Sequence, residues 1–329
     1  MNWPSLSRSK LAIDIGSQEI KISLLGTGVL VKTAPYLALK KDGSLLAIGT
    51  EAKNLVDRLE ANEELHCLVK NSELTDLKLA KIFFKYYFAQ YLPRFSVFRP
   101  LILFSTPLTL SPAKRKLCSR MFYELSASEV VSISQPLAAA IGAGLPIQDN
   151  IGSFLLHLGE GRADVVAISL GKIVWQQGSN KAGKKLKELI SWHFKKNAHL
   201  LCPDSEINKI VQQVLTFAKK PQTLVIRGKD LLTKNPAQIK ISSLDLQPLL
   251  FSLANDYVAM IKNILASVPA ALSCDALDRG ILITGGLAQI KGWDDYLVEA
   301  LNLPVGVVDH SQTTVLTGME EALKLKLQF

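Results

Sequence analysis

The 329-residue chain contains few of the features that cross-link a protein or anchor it in a membrane. Its four cysteines, at positions 67, 118, 202 and 274, form no C-x-x-C pair and no cluster with histidine. This spacing indicates neither a disulfide framework nor a zinc site, and it fits a reducing cytoplasm. No apolar run reaches about 18 residues, so we expect no membrane-spanning helix. The first ten residues lack the apolar segment of a signal peptide.

Acidic residues are scarce relative to basic ones, with 29 Asp and Glu against 38 Lys and Arg and a formal net charge of +9. This excess favours anionic partners such as a nucleotide, acidic lipid or nucleic acid, although a solvated lysine-rich surface is the simpler explanation. No basic patch with interleaved aromatics and no nucleic-acid motif occurs, so nucleic acid is not an expected partner. The length leaves room for two domains, each with its own core.

The amino-terminal segment 1–10 combines an aromatic residue, a leucine and two cations: Trp3, Leu6, Arg8 and Lys10. Such a segment can rest on an acidic membrane surface. Pro4 and three serines interrupt any helix, which favours a loose terminus instead.

The pattern at positions 155–169 is the one around which the chain is organised. An apolar run enters a Gly-x-Gly turn at 159–161 and a second apolar run leaves it, which predicts a β-hairpin. Its tip has little side chain and several backbone N–H groups, so it can approach a phosphate closely. A single Gly-x-Gly more often serves only the geometry of the turn.

Positions 11–25 repeat this plan with an apolar strand, a turn at Gly16 and a second apolar strand. The repeat adds an acid, Asp14, at the end of the first strand and a cation, Lys21, in the second. Two such hairpins, one from each half of the chain, could hold a polyphosphate between them.

Strands and helices alternate through the rest of the chain. Hydrophobic periodicity predicts helices over 75–91, from 111 onward, and over 182–197, 205–218, 244–268 and 314–327. Strands are predicted within 36–48, 100–106, 130–133, 223–240 and 304–308. Small residues at 135–145 predict a helix that forms a hinge between halves, packs tightly in a core, or does both. Residues 280–292 predict a buried strand, a Gly-Gly turn and a helix. Two similar halves of this kind favour an α/β fold with a duplicated core.

The order of these motifs resembles the fold shared by actin, the large heat-shock chaperone ATPases and sugar kinases. Within that group, the chain resembles the MreB family of bacterial actins. The matching motifs are IGTEAK at 48–53, PLAAAIGAGLP at 136–146, VAISLG at 166–171, IRGKDLLT at 226–233 and DRGILITGG at 278–286. They are spread over nearly the whole chain.

The resemblance implies an α/β actin-like ATPase fold, in which duplicated ribonuclease-H-like domains surround a nucleotide cleft. Domain I would span 1–146, with a small subdomain at about 33–72, and would be completed by a C-terminal helix at about 312–329. Domain II would span 147–311, with a small subdomain at about 183–243. The resemblance also implies ATP or GTP with Mg²⁺, homopolymers, peripheral attachment to the cytoplasmic face of the inner membrane, and cell-wall elongation proteins as partners.

The same resemblance implies roles for individual residues. Asp14 matches the acid that holds the water shell of Mg²⁺, His157 stands at a second metal-side position, and Gln135 stands where a residue orients the attacking water. The implied cofactor-binding residues are Gly16, Ser17, Gln18, Glu19, Lys21, Gly159, Glu160, Gly161, Arg162, Gly183, Lys209, Ile210, Val211, Gln212, Gly285, Gly286, Leu287 and Ala288.

Several of these residues depart from the family pattern. His157 stands where the family has an aspartate, which removes a negative charge from the Mg²⁺ environment. Glu160 and Arg162 replace a glycine and a threonine. The Glu160 carboxylate would repel a phosphate unless Arg162, Lys21 or the metal compensates. Gln135 replaces a glutamate but matches actin. These departures predict at most a slow ATPase.

Three functions remain open from the sequence. The first is a filament-forming cytoskeletal protein that organises cell shape and wall synthesis. The second is a non-polymerising membrane adaptor of the FtsA or PilM type, or a pseudo-ATPase scaffold. The third is a sugar-kinase-like enzyme, which would need a substrate pocket in a larger insertion that the chain does not show.

Overall fold

The computed structural model describes residues 8–56, 58–92 and 99–325. The chain divides into two compact units. Unit 1 comes from Met1–Gly144 together with Thr313–Phe329, and unit 2 is Leu145–Gln312. Trp3 and Leu6, on which the expectation of a lipid-contacting tail depends, lie outside the described residues.

Helices and strands alternate in both units. The strands are β1 (Lys10–Ile15), β2 (Ile20–Leu24), β3 (Gly28–Thr33), β4 (Tyr36–Lys40), β5 (Leu45–Ile48), β6 (Glu63–Cys67), β7 (Val69–Lys70), β8 (Glu73–Leu74), β9 (Leu101–Thr106), β10 (Glu129–Ser134), β11 (Ser153–Leu158), β12 (Ala163–Ser169), β13 (Lys172–Ser179), β14 (Leu200–Leu201), β15 (Thr223–Asp230), β16 (Pro236–Ser242), β17 (Ile281–Thr284) and β18 (Val305–Val307). The helices are α1 (Thr50–Lys53), α2 (Leu77–Tyr91), α3 (Pro112–Glu124), α4 (Gln135–Gly142), α5 (Gly183–Asn197), α6 (Asp204–Gln213), α7 (Ser243–Ser267), α8 (Ala270–Arg279), α9 (Trp293–Leu301) and α10 (Thr314–Leu325).

The main sheets of the two units have the same topology. Unit 1 has the order β10-β9-β1-β2-β3, and unit 2 has the order β13-β12-β11-β17-β18. In each sheet three antiparallel strands are followed by two parallel ones, and the first strand of the hairpin pairs with both groups. The predicted α/β fold with a duplicated core is therefore confirmed.

Each unit buries its own apolar core. In unit 1, the aromatic rings of Phe84, Phe104 and Phe122 pack between the sheet and its helices. In unit 2, the fully buried Trp293 and Tyr257 pack against each other beside strands β11 and β12. Both hairpins are thus anchored in apolar cores, which fixes the position of the turn at each tip.

Helix termini follow ordinary capping chemistry. The Asp76 side chain accepts hydrogen bonds at the start of α2, and Ser111 does so at the start of α3 with Pro112 as the first helical residue. Ser242 and Asp245 form a capping box at the start of α7. These caps explain why the predicted helix starts lie within a few residues of the observed ones.

The small-residue helix α4 packs against α10 within unit 1 at very short range. A side chain at Gly142 would overlap the carbonyl oxygen of Thr314, and one at Gly318 would overlap that of Ala138. Only glycine permits this approach of the two backbones. The structure therefore confirms tight core packing, one of the two predicted roles of this helix.

Two regions contain elements that the sequence did not predict. In unit 1, β6 joins the predicted strands β4 and β5 in a three-stranded sheet, and the short pair β7 and β8 follows it. In unit 2, β13 extends the main sheet and α8 precedes β17. Residues 286–289 form a 3₁₀ turn after the Gly-Gly pair, and α9 begins only at Trp293. The two-residue strands β7 and β8 and the four-residue 3₁₀ turn are too short to show a period in their apolar residues.

Helix α7 is long and apolar enough to cross a membrane by length and composition, with 44% of its most apolar window buried. The expectation that no helix spans a membrane stays a prediction, because a buried core helix passes the same test of length and composition. The side chains of Leu250, Tyr257 and Ile261 lie in the core of unit 2. Packing in that core explains the apolar content of α7.

Candidate functional site

The hairpin of unit 1 holds a buried carboxylate against a cation. Asp14 on β1 lies directly opposite Lys21 on β2, and Lys21 Nζ is 3.3 Å from Asp14 Oδ2. The carboxylate is only 4% exposed. Because burial of an unpaired charge is costly, the ion pair with Lys21 and the hydrogen bonds to the carboxylate offset the cost of burying Asp14.

Ser105 and Gln135 complete this cluster. The Ser105 hydroxyl donates to Asp14 Oδ1 at 3.0 Å and accepts from the Ile15 N–H at 2.8 Å. The Gln135 amide nitrogen lies 3.1 Å from the Ile15 carbonyl oxygen and 3.5 Å from Asp14 Oδ1. Gln135 is the first residue of α4, directly after β10, so the ends of three strands meet here. Unit 1 thus brings together two residues predicted as catalytic, Asp14 and Gln135.

The turn between β1 and β2 is closed and tied to its surroundings. A Cβ at Gly16 would lie 2.6 Å from the Glu19 carbonyl oxygen, so the turn has no space for a side chain there. The Ser17 hydroxyl accepts a hydrogen bond from the Ser72 N–H at 2.8 Å. Glu19 pairs with Lys32 at 3.6 Å on the surface, and Gln18 is exposed. The predicted phosphate residues 16–19 therefore form one compact turn beside Asp14.

The hairpin of unit 2 places His157 where unit 1 has its acid. His157 lies opposite Asp164 on β12 and beside Thr284 on β17. Asp164 is 1% exposed and forms a buried ion pair with Arg162, whose Nη2 is 2.7 Å from Asp164 Oδ1. Arg162 also donates to Asn180 Oδ1 at 3.1 Å. The guanidinium of Arg162 is therefore engaged inside unit 2.

Glu160 at the tip of this hairpin is neutralised by Lys187 of α5. Lys187 Nζ lies 2.9 Å and 3.0 Å from the two Glu160 carboxylate oxygens. The Gly183 N–H donates to the Gly159 carbonyl at 3.2 Å, and the Lys184 N–H donates to the Glu160 carbonyl at 2.7 Å. The start of α5 is thus bonded to the tip of the hairpin.

The glycine loop after β17 forms a third part of the predicted site. Gly285 has a φ of 98°, and a side chain there would overlap the backbone of Leu158. A Cβ at Gly286 would meet no atom within 4 Å, so this residue faces open space. Leu287 and Ala288 are buried, and the Leu287 carbonyl accepts from the Trp293 indole N–H at 2.8 Å. These contacts hold the loop in place with Gly285 packed on Leu158.

The four α6 positions predicted to lie near a base have different environments. Lys209 and Gln212 are exposed, Val211 is partly buried, and Ile210 is fully buried in the core. Lys209 pairs with Glu206 at 2.5 Å. Its hydrogen bond to Glu206, helped by the Arg227 N–H, holds the pKa of that carboxyl below its ordinary value. Any contact of this helix with a ligand would come from its exposed side chains.

The residues present fit a phosphate-bearing ligand because the first glycine of each turn leaves no space for a side chain, the geometry by which backbone approaches an anion. A Cβ at Gly159 would lie 2.8 Å from the Arg162 carbonyl oxygen, as for Gly16 in unit 1. In the part of unit 2 around this turn, which is fully described, the N–H groups of Glu160 and Gly161 donate to no protein acceptor. Backbone N–H groups at glycine turns are ordinary phosphate ligands.

A divalent cation would have few protein ligands here. In residues 8–56, 58–92 and 99–325, no group of three or more His, Cys, Asp or Glu could hold a metal ion. Mg²⁺ commonly keeps several waters and binds through one or two carboxylates plus substrate phosphates. A single carboxylate such as Asp14 is consistent with that mode of binding.

Several residues of these clusters were missed by sequence reasoning. They are Ser105, Asp164, Gly178, Asn180 and Lys187, each of which touches a predicted site residue. Asp164 could have been found, because residues two apart on a strand share a face and Arg162 carries the opposite charge. The role of Lys187 depends on how α5 docks, which no local pattern reveals.

Comparison with known proteins places this architecture among bacterial actin homologues. A family model described as MreB/Mbl protein matches residues 8–328. The chain is 28% identical over 311 residues to the cell shape-determining protein Mbl of Bacillus subtilis (strain 168), covering 94% of this chain and 93% of that protein. It is 25% identical over 323 residues to the cell shape-determining protein MreB of Escherichia coli (strain K12), covering 96% and 93%.

Solved structures match the fold at lower identity. MreB 5 of Spiroplasma citri bound to AMPPNP matches with a TM-score of 0.91 at 21% identity, covering 97% of each chain. The MamK double helical filament matches with a TM-score of 0.80 at 17% identity, covering 98% of this chain and 100% of that one. These likenesses confirm the predicted actin-like fold.

Proposed function

The chain belongs to the MreB/Mbl protein family, and on this premise we propose that it is an actin-like cytoskeletal protein that binds a nucleotide and assembles with its own copies into filaments. Its relatives in Bacillus subtilis and Escherichia coli are cell shape-determining proteins, and a structural neighbour is a filament. We extend both properties to this chain. Its filaments would organise cell shape and wall synthesis, with cell-wall elongation proteins as partners.

The observation that carries the proposal is the repeated hairpin. Both units present a glycine turn that excludes side chains, at Gly16 and Gly159, directly after a buried strand. Close approach of backbone to an anion requires this geometry. A structural neighbour is bound to AMPPNP and another to ADP, which supports a nucleotide as the ligand. The proposed nucleotide is ATP or GTP with Mg²⁺.

Residue roles follow from the two clusters. Asp14 would hold the water shell of Mg²⁺, and Gln135, whose amide can orient but not deprotonate a water, would position the attacking water. His157 would stand on the metal side in unit 2. A bound metal would supply charge stabilisation of the transferring phosphoryl group. The turns at 16–19 and 159–162 and the glycines at 285 and 286 would contact phosphate or nucleoside.

Hydrolysis would be slow. A histidine at position 157 supplies no carboxylate to a metal, and Arg162 is held by Asp164 rather than free to stabilise a developing charge. Loss of one positioned group typically lowers a rate by about 10²–10³-fold. The protein would then act mainly as a scaffold, peripheral at the cytoplasmic face of the inner membrane. The net charge of +9 suits an anionic lipid surface.

Sedimentation and electron microscopy of the purified protein test the proposal, with Mg·ATP, Mg·GTP or no nucleotide. We expect nucleotide-dependent filaments, and phosphate release far slower than filament assembly. The variant Asp14→Ala should lose both nucleotide binding and assembly while keeping its fold by circular dichroism. A protein that stays monomeric with every nucleotide and binds liposomes would favour the membrane adaptor of the FtsA or PilM type.

A further inference from the structure

We propose that Lys187 is a positioning residue that makes the Glu160 turn compatible with phosphate. It neutralises the carboxylate that this chain places in the second hairpin turn and fastens that turn to α5. The inference rests on the proposed nucleotide binding. It adds that the pair of Glu160 and Lys187 determines the affinity of this turn for the phosphates of the nucleotide.

The geometry of the pair is that of a partly buried, two-oxygen ion pair. Lys187 Nζ lies at 2.9 Å and 3.0 Å from the two carboxylate oxygens of Glu160. The two side chains are 21% and 19% exposed, so water screens them only in part. The attraction between the two charges is stronger here than in a fully exposed ion pair, because less water surrounds them.

The Glu160 carboxylate cannot easily swing away from the turn. One of its oxygens packs against Gly183, where a Cβ would lie 2.5 Å from Oε2. The Glu160 carbonyl is bonded to the Lys184 N–H, so the backbone of the turn is held as well. The side chain also lies at the start of the 15-residue helix α5, where the helix dipole favours an anion. The negative charge is therefore built into this position.

Arg162 does not serve as the counter-charge, although it is only two residues away. Its guanidinium bonds Asp164 and Asn180, and Gly178 leaves the space that this pair occupies. Lys187 is thus the cation that unit 2 supplies to Glu160. Without it, a carboxylate would lie within a few ångströms of the N–H groups of Glu160 and Gly161 and would repel an incoming phosphate.

A double-mutant cycle on the full-length protein tests this logic. Binding of Mg·ATP and Mg·ADP is measured by calorimetry for wild type, Lys187→Met, Glu160→Gln and the double variant, at low and high salt. Lys187→Met should weaken binding by about tenfold or more, since it unmasks the carboxylate. Glu160→Gln should bind several-fold more tightly than Lys187→Met, because it removes the carboxylate itself. The double variant should match Glu160→Gln, because the charge that needs neutralising is absent.

Matched controls separate this role from structural damage. Lys185→Met removes a more exposed cation from the same helix and should leave affinity unchanged. Lys187→Arg should keep most of the wild-type affinity, because a guanidinium can also pair with the carboxylate. Urea unfolding without nucleotide shows whether each variant is folded, and this readout is independent of ligand.

Three other results of the binding measurements would each contradict a specific claim. If wild type binds neither nucleotide, the proposed function fails and this inference fails with it. If wild type binds and Lys187→Met binds equally well, the inference alone is wrong. If the double variant is as weak as Lys187→Met, Lys187 contacts the nucleotide directly and does not act through Glu160.

Discussion

Asp14 in unit 1 and His157 in unit 2 occupy the same place in two hairpins, the next-to-last position of the first strand. Asp14 faces a cation, Lys21, across the strand pair, whereas His157 faces an acid, Asp164. The parallel strand beside each carries a hydroxyl residue, and Ser105 donates to Asp14 whereas Thr284, in register with His157, donates to the Ser311 carbonyl. The backbone plan is thus repeated, but the acid lies on the first strand of the hairpin in unit 1 and on the second strand in unit 2.

The two hairpins differ in which structural element supplies the cation that neutralises each carboxylate. In unit 1 the cation lies on the neighbouring strand of the same hairpin. In unit 2 the cation of Asp164 is Arg162, which directly precedes the strand of Asp164, and the cation of Glu160 comes from α5. A duplicated scaffold therefore tolerates new charges provided that each finds a partner within reach of its own unit.

The largest expected effect comes from removing the cation of each buried pair. Arg162→Met leaves Asp164 almost fully buried without its partner, so we expect a loss of about 3–5 kcal/mol in the free energy of unfolding. Lys21→Met should cost less, roughly 1–3 kcal/mol, because Ser105 still donates to Asp14. Urea unfolding at neutral pH measures both values.

The double variant Arg162→Met with Asp164→Leu is the control for this comparison. Replacing both partners by apolar groups should recover most of the lost stability. Equal losses for Arg162→Met and Lys21→Met would mean that the two hairpins neutralise their carboxylates to the same extent, contrary to the contacts described above.

A smaller and equal effect is expected at the two turns. In both Gly16→Ala and Gly159→Ala the new methyl group meets a backbone carbonyl oxygen, at 2.6 Å and 2.8 Å. Each substitution should destabilise the protein by about 1–3 kcal/mol, since backbone cannot move aside cheaply. Gly286→Ala, whose Cβ meets nothing within 4 Å, serves as control. Thermal unfolding that shows a loss at only one turn would contradict the structural equivalence of the hairpins.

The hairpins themselves could be predicted because they are local. Apolar runs around Gly16 and around Gly159 and Gly161 specify strand, turn and strand without any distant contact. The resemblance of motifs spread over the chain then indicated the fold. Helices with clear periodicity, such as α2 and α5, lie close to their predicted ranges.

The parts that could not be predicted depend on tertiary packing. The partner of Glu160 is 27 positions away, and it reaches the turn only because Gly183 docks on Gly159. The two-residue strands β7 and β8 are too short to show an alternation. The 3₁₀ turn after Gly286 forms where Leu287 enters the core, a choice that propensity does not decide.

The smallest expected effect extends the comparison to two carboxylates that pair with lysines, the exposed Glu124 of unit 1 and the largely buried Glu206 of unit 2. Hydrogen bonds from Lys81 and Lys209, respectively, lower the pKa of these carboxyls below 4.5. A carboxyl whose pKa is lowered by folding stabilises the native state above its unfolded pKa, and this stabilisation is lost as the pH falls. Glu206→Gln should therefore be less stable than wild type at pH 7, by roughly 0.5–1 kcal/mol, and the two should converge on acidification.

Glu124→Gln should show the same sign with a smaller change, because Glu124 is more exposed and lacks the backbone donor that Arg227 gives to Glu206. Urea midpoints from pH 7 to pH 3 measure both, and a gap for Glu206→Gln that widens as the pH falls would contradict the assigned direction of the pKa shift.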